Sequence, residues 1–422
     1  MRRKTLEKCI CMSMQENCVK SIIAVSQIFP EGQKIVAAVV EYQECIDNFS
    51  LTPCSFKVKD RKVMAVHTSD KNTHPRRIAE GPFVIIELSS DTMDACVLQR
   101  HRNRERVYGG KEPNEKMEMG DCVLEVQQVM PIFTEDGTEL KAWSAPEKSD
   151  RDINLIVDRF LKLKYQDPDS GIELAYNLFV PWDYDDQKKY PMVVFMHDLS
   201  AIGDNQVFTL LQGNGATVWA TEDEQYWHQC FVLAPQYSRR VVSNDFSCTE
   251  EVDATLNLIH STCDRMSVDR DRIYVTGQGM GCMMAMQMGY EQPDLFAAYF
   301  LMAGQWDPKR MAPMAYKPMF LIASQADERA AKGLTADVEA LEKAGAKVDR
   351  ALWGIADGCI QQRDADALTR GDGNIKLAIL DQPVFRNGSC QENCAFHEAT
   401  WQMGYDIAAV RAWLFRQKKG NR

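Results

Sequence analysis

Hydrophobic positions in the first third of the chain fall in short runs separated by polar segments that carry Gly and Pro. Residues 34–42, 55–58, 62–66, 83–88 and 122–126 are rich in β-branched and aromatic side chains, and no long helical pattern lies between them. That spacing predicts a small β-sandwich over residues 20–134. Residues 135–157 are polar, with Gly137, Pro146 and mixed charges, and read as a linker. From residue 158 to 422 the texture becomes strands alternating with helices, the pattern of an α/β domain with a largely parallel sheet. Strands are expected at 171–181, 190–197, 230–236, 296–304, 318–324 and 347–353, and helices at 249–262, 335–344 and 400–417. The run 190–197 is apolar almost throughout, as befits a central strand buried on both faces.

One stretch organises the second segment. Residues 272–276 climb as a β-branched and aromatic run to Gly277, Gln278, Gly279, Met280 and Gly281, and an apolar helix-forming run follows. Strand, tight turn and helix form the context of a nucleophile elbow, G-x-S-x-G. Here Gly279 stands where the serine belongs.

Charge and composition narrow the partners. The net charge of −11 and the absence of a long basic run argue against nucleic acid. Residues 1–4 resemble the charged start of an export signal, but 9–20 are too polar to continue it. No stretch reaches the ~18–20 apolar residues of a membrane span. The fourteen cysteines are scattered rather than framed, so a cytoplasmic chain with reduced thiols is expected. Self-association is left open.

The second segment resembles α/β-hydrolases of the polyhydroxybutyrate-depolymerase, feruloyl-esterase and predicted-peptidase group. The resemblance rests on residues 190–197, the elbow at 277–281, residues 290–298, and His397 with residues 401–405. The first segment resembles the immunoglobulin-like domain that precedes the hydrolase in some members. The resemblance implies an α/β-hydrolase behind a small all-β sandwich, and hydrolysis of a small-molecule carboxylic ester through an acyl-enzyme. Acyl transfer needs a nucleophile, an imidazole to take its proton and a carboxylate to orient the imidazole. Gly279 holds the nucleophile position, Asp327 that of the acid, and His397, in the loop before the last helix, that of the base. Oxyanion donors and substrate contacts are expected from Met280, from the loop at Asp198 and Leu199, and from Gln278 beside the turn. In much of the family that loop begins His-Gly; here Asp198 replaces the glycine. A carboxylate so close to the oxyanion site opposes the developing charge unless it points away or pairs.

Plainer roles compete for several residues. Asp204 and Glu328 lie near enough in sequence to be confused with Asp327. His67, His74 and His101 lack metal-ligand spacing and read as surface or turn histidines. His197 is expected to shape the oxyanion loop, and Trp401 and Tyr405 to pack in the core at i, i+4 on the closing helix. Cys390, Cys394 and His397 offer three zinc ligands but no fourth, so no metal is expected. Cys282 reads as a packed thiol. The remaining residues of the cleft are expected from 212–227 and 358–387. Neither metal nor organic cofactor is expected.

Gly279 accepts a positive φ without the penalty of about 1–3 kcal/mol that other residues pay at a strained elbow. Three explanations stay open: an engineered knockout, a homologue that binds a ligand in the old cleft, or weak activity with His397 and Asp327 activating water. On the first, Gly279→Ser is expected to confer ester hydrolysis. The spacing G-x-G-x-G also admits a remote alternative, a nucleotide held at the helix N-terminus.

Overall fold

The computed structural model describes residues 18–73, 78–91, 95–102, 115–356, 359–381 and 393–420. The chain divides into two compact units that change over at Asp158 and Arg159, with residues 100–102 and 115–117 grouped with the second.

The first unit is a β-sandwich. Its larger sheet runs in the order Arg151–Asn154, Val19–Phe29, Gly32–Tyr42, Phe83–Leu88, Val63–Ser69. The smaller runs Glu147–Lys148, Glu125–Gln128, Phe56–Val58. Ile22, Ala24, Val40, Tyr42, Phe56, Val126 and Trp143 bury one core between them. Tyr42 donates its hydroxyl to Gln128 Oε1 at 2.8 Å, so the polar end of a buried ring is satisfied across the sheets. Two expectations need correcting. Residues 135–157 are not a linker: Arg151–Asn154 pairs in parallel with the first strand, and Glu147–Lys148 pairs with Glu125–Gln128. Short polar strands at a sheet edge carry no apolar alternation, which is why composition hid them. His67 is buried within its strand and faces Glu87, rather than lying at the surface. His101 falls on the strand Leu98–Arg102, whereas His74 lies outside the described residues.

The second unit holds a ten-stranded sheet. Its strands are β1 (Leu161–Gln166), β2 (Glu173–Phe179), β3 (Tyr190–Met196), β4 (Phe231–Gln236), β5 (Val268–Gln278), β6 (Ala298–Met302), β7 (Met319–Ser324), β8 (Val348–Ala356), β9 (Cys359–Ile360) and β10 (Ile375–Asp381). They lie in the order β1-β2-β4-β3-β5-β6-β7-β10-β8-β9. The interior from β4 to β8 is parallel, and antiparallel strands close both edges. The crossing of β4 outside β3 makes a topological switch, and open α/β sheets bind ligands at the carboxyl ends of strands at such points. Every side chain of β3 is buried, as its apolar run predicts. Pro191, which cannot donate to the ladder, sits where the register slips between Tyr190 and Met192.

Six helices matter here: α1 (Glu251–Arg265), α2 (Met280–Glu291), α3 (Glu328–Lys343), α4 (Gln362–Thr369), α5 (Asn393–Gly404) and α6 (Ala408–Phe415). Helix α2 is buried from Met280 to Gly289, in keeping with its apolar character on every side. Two boundaries differ from expectation. Helix α3 starts at Glu328, seven residues before the apolar pattern suggests, because Asp327 caps it and accepts from the Ala330 N–H. The single closing helix is two, α5 and α6, and His397 lies within α5 rather than in a loop before it. The break follows Gly404, which packs so closely on Met302 that a β-carbon would collide with its sulfur.

Asp337 on α3 is fully buried, with Oδ2 accepting from the Trp306 N–H at 2.8 Å and Oδ1 without a partner. Burial, with Asp307 nearby, pushes its carboxyl up to about 7. An unfolded aspartate titrates near ~3.9, so across that window the unfolded chain releases a proton that the folded chain keeps. Stability therefore falls as pH rises from about 4 to about 7 and stays lower above. Asp337→Asn is predicted to raise the melting temperature more at pH 8 than at pH 5, each 1 kcal/mol counting for roughly 2–4 °C in a domain of this size. Thermal melts at the two pH values decide; an equal effect at both excludes an ionised buried carboxylate.

Candidate active site

The elbow forms as the glycine pattern predicts. Strand β5 ends at Gln278, Gly279 turns at φ 53° and ψ −117°, and α2 begins at Met280. The flanking glycines are demanded by packing. A β-carbon at Gly281 would strike the Met196 carbonyl at the end of β3, and one at Gly277 would lie 2.7 Å from the Gly281 backbone.

Two other elements bring side chains to this turn. Asp327 uses Oδ1 to cap α3 and Oδ2 to accept from His397 Nδ1 at 2.5 Å. His397, on α5, is steadied by Trp401 one turn later, whose ring meets the imidazole edge-on with centroids 5.0 Å apart. Asp204 and Glu328 take no part: Asp204 is exposed, and Glu328 pairs with Lys332 at the surface.

The third contributor is Asp198, just past the end of β3. Its Oδ1 caps the short helical turn Leu199–Ala201, accepting from the Ser200 N–H at 2.9 Å and the Ser200 hydroxyl at 2.8 Å. Its Oδ2 lies 3.7 Å from His397 Nε2. A β-carbon built on Gly279 would collide with that same Oδ2 and come 3.0 Å from His397 Nε2. The carboxylate of Asp198 thus fills the volume into which a serine side chain at 279 would project. The sequence leaves open whether Asp198 points away or pairs; it pairs.

His397 therefore has a carboxylate on each side. Burial alone would lower its pKa, but the bonds and charges of Asp198 and Asp327 outweigh that and hold it well above 6.5. Burial opposes ionisation of Asp198, yet His397 and the Ser200 N–H keep its carboxyl well below the usual carboxylate range. Flanked in this way by Asp198 and Asp327, the imidazole is biased toward its protonated form.

His197 is fully buried and spoken for. Its Nδ1 donates to the Asp198 carbonyl at 2.8 Å, its Nε2 accepts from the Tyr237 N–H at 3.0 Å, and burial pushes its pKa down to about 4. It holds the loop in shape as a neutral ring. Gln278 is buried and donates to Gln212 Oε1 at 3.0 Å, and the same Oε1 accepts from the Asp198 N–H at 3.1 Å. Gln212 also donates to the Ser200 hydroxyl at 2.6 Å, so one side chain ties elbow to loop. It lay in the range read as cleft lining, with no signal for this role. Arg240, whose charge acts on Asp198, was missed outright. Met280 opens α2, where the first N–H groups have no intrahelical acceptor, and Leu199 opens the turn that Asp198 caps. Tyr405 and Trp401 are buried, although Tyr405 lies past the end of α5. Cys282 is buried and pushed by burial far above the thiol range. Cys390, residues 382–387, residue 358 and the side chain of Cys394 lie outside what the structure describes. Among the described residues no group of three or more His, Cys, Asp or Glu is placed to hold a metal ion.

Comparison with known proteins agrees with this architecture. Residues 21–141 match the family model of the esterase Ig-like N-terminal domain. A thermostable esterase of known structure shares 26% identity and a TM-score of 0.78, over 95% of this chain and 100% of that one. A mutant feruloyl esterase module from Clostridium thermocellum, complexed with sinapinate, is 14% identical over 61% of this chain and 88% of its own, with a TM-score of 0.39. That second likeness is too loose to carry an argument. None of the curated proteins matches this chain. The first unit is thus like the Ig-like domain that heads certain esterases, and the chain as a whole shares the fold of a thermostable esterase.

The charge state has a direct check. The His397 imidazole is predicted to stay protonated at pH 7, and Asp198→Asn to lower its pKa, both read from the ring carbon shifts by NMR. Because the folded pKa is raised, the stability this ring contributes is complete below about 6.5, the unfolded value, and fades as pH climbs through the folded one. A wild-type ring that titrates at or below 6.5 would contradict the ionic row.

Proposed function

We propose that the cleft at the carboxyl ends of β3, β5 and β7 is an ester-hydrolase site in which the serine route is closed. The observation that carries this is the collision between a side chain at 279 and the carboxylate of Asp198. Without Oγ there is no acyl-serine, and loss of that nucleophile costs ~10⁶-fold in turnover. The chain as it stands therefore has little or no turnover of carboxylic esters by that route. Its ligand is a small molecule that meets the row Asp327, His397, Asp198, with the N–H groups of Met280 and Leu199 and the buried Gln278 alongside.

The same contact counts against Gly279 as a lone knockout of an otherwise intact serine triad, because a serine would have to displace the Asp198 carboxylate from its Ser200 donors. Direct activation of water by His397 is also disfavoured, since an imidazolium cannot accept a proton. Nucleotide binding loses its motive: Gly277 and Gly281 answer to packing and Gly279 to its positive φ. Among the described residues no helix is long and apolar enough to cross a membrane. The nine cysteines unpaired there fit the cytoplasmic placement we retain.

Gly279→Ser alone, expected from the sequence to confer activity, is now predicted to leave p-nitrophenyl ester hydrolysis near background. The pair Asp198→Gly with Gly279→Ser is predicted to gain the ~10²–10⁴-fold that a positioned base contributes, and His397→Ala on top to remove it. Rapid ester turnover by the unaltered chain, surviving His397→Ala, would overturn the proposal.

A further inference from the structure

Asp198 is built for more than filling space. Its Oδ1 is held by the Ser200 N–H and hydroxyl, at 2.9 and 2.8 Å, with Gln212 Nε2 at 3.4 Å. Its Oδ2 stands at the elbow, facing His397 Nε2 at 3.7 Å. One oxygen clamped and the other presented is the disposition of a carboxylate nucleophile. Once Oδ2 is esterified, Oδ1 becomes the carbonyl oxygen, and its Ser200 donors already stand in the range that stabilises an oxyanion, ~2.7–3.1 Å. His397 faces a carboxylate from each ring nitrogen, Nδ1 toward Asp327 and Nε2 toward Asp198, a setting that favours the doubly protonated ring and so a proton donor. The His397 side chain keeps 30% of its surface exposed against 10% for Asp198, so a reactant reaches the carboxylate from the imidazole side.

We propose that Asp198 Oδ2 is the nucleophile of a two-step hydrolysis of an epoxide, with His397 acting first as acid and then as base. This rests on the reading that the serine route is closed.

Chemistry selects the electrophile. Carboxylate attack on an ester carbonyl would yield an anhydride, which is more reactive than the ester consumed. Attack on a saturated carbon yields an ordinary ester instead. A halide leaving group takes no proton, and His397 would remain an imidazolium unable to serve as base. An epoxide oxygen takes that proton as the ring opens.

The steps balance. Oδ2 bonds to a ring carbon, the carbon–oxygen bond breaks, and His397 Nε2 gives its proton to the departing oxygen. The products are a hydroxyalkyl ester of Asp198 and a neutral imidazole. Water then attacks Cγ while Nε2 takes one of its protons, and the tetrahedral oxyanion forms at Oδ1; on collapse the Cγ–Oδ2 bond breaks, and Oδ2 leaves as a hydroxyl of the vicinal diol, taking the proton of the newly added oxygen. The carboxylate and the imidazolium are regenerated, and only water is consumed. Asp327 keeps Nδ1 and the orientation of the ring throughout both steps.

The test uses the full chain in excess over styrene oxide, in water enriched in oxygen-18. In a single turnover the diol is expected to carry oxygen-16 and the peptide containing Asp198 to gain the label. Asp198→Asn should abolish diol formation, and prolonged incubation of His397→Gln should leave a styrene oxide adduct on Asp198 by mass spectrometry. Label in the diol at the first turnover, adducts confined to cysteine peptides, or no diol from the folded chain would each overturn the proposal. Absence of diol in a chain that also fails to hydrolyse p-nitrophenyl esters removes only the epoxide chemistry. Ester turnover by the unaltered chain removes the closed-site reading beneath it.

Discussion

The carboxylate of Asp198 occupies the place into which a side chain at 279 would project, and the rest of the site follows from that occupancy. A β-carbon there and the Asp198 carboxylate exclude each other. With the carboxylate in place, the imidazole loses its role as the base of a serine and becomes the cation between two anions. Those anions sit at the ends of β3 and β7, so three segments distant in sequence are drawn together by charge as well as by packing. The geometry of each is fixed locally: Asp327 by capping α3, Asp198 by capping its own turn, His397 by the turn of α5 beneath it.

That arrangement trades one cost for another. A side chain at φ 53° and ψ −117° would be strained by about 1–3 kcal/mol, and glycine relieves it. Two carboxylates and an imidazolium in a largely buried place must in turn be desolvated, which attraction repays only when geometry and hydrogen bonds are good. Here both are supplied. Asp198 has donors on Oδ1, Asp327 has the Ala330 N–H on Oδ1, and each offers Oδ2 to the ring. Removing either carboxylate leaves a cation half-compensated, so the row is a unit rather than two independent pairs. Gln212 extends it by bonding both the Asp198 loop and Gln278, which binds the elbow to its neighbour without using the missing hydroxyl.

The sheet was readable because its central strands are apolar throughout, and a run such as Tyr190–Met196 has no other place to go. The sandwich was readable from spacing, except for Arg151–Asn154 and Glu147–Lys148, whose polarity suits a sheet edge as well as a linker. Helix starts were the weaker part. Asp327 caps α3 before its apolar stripe begins, and α5 starts ahead of His397. The site was legible as a set of unusual residues, Gly279 and Asp198 each standing where another was expected. Their relation was not. It depends on side-chain volume across a gap between β3 and β5, which no spacing along one strand encodes, and Gln212 reaches the same gap with no motif at all.

The mutual exclusion also fixes the order in which such a site can be reached from one with serine at 279 and glycine at 198. Introducing Asp198 first would press a carboxylate against the serine side chain and demand that the loop move. Replacing the serine first leaves both positions as glycine, a small void beside the imidazole that water can enter, and the fold is undisturbed or relieved at its strained turn. A carboxylate arriving second then fills the void and finds an imidazole already oriented by Asp327. Loss of the hydroxyl thus precedes gain of the carboxylate, and every step after the first is downhill in packing. Asp327 and His397 thus stabilise a second carboxylate at this place by charge and geometry that do not depend on ester chemistry.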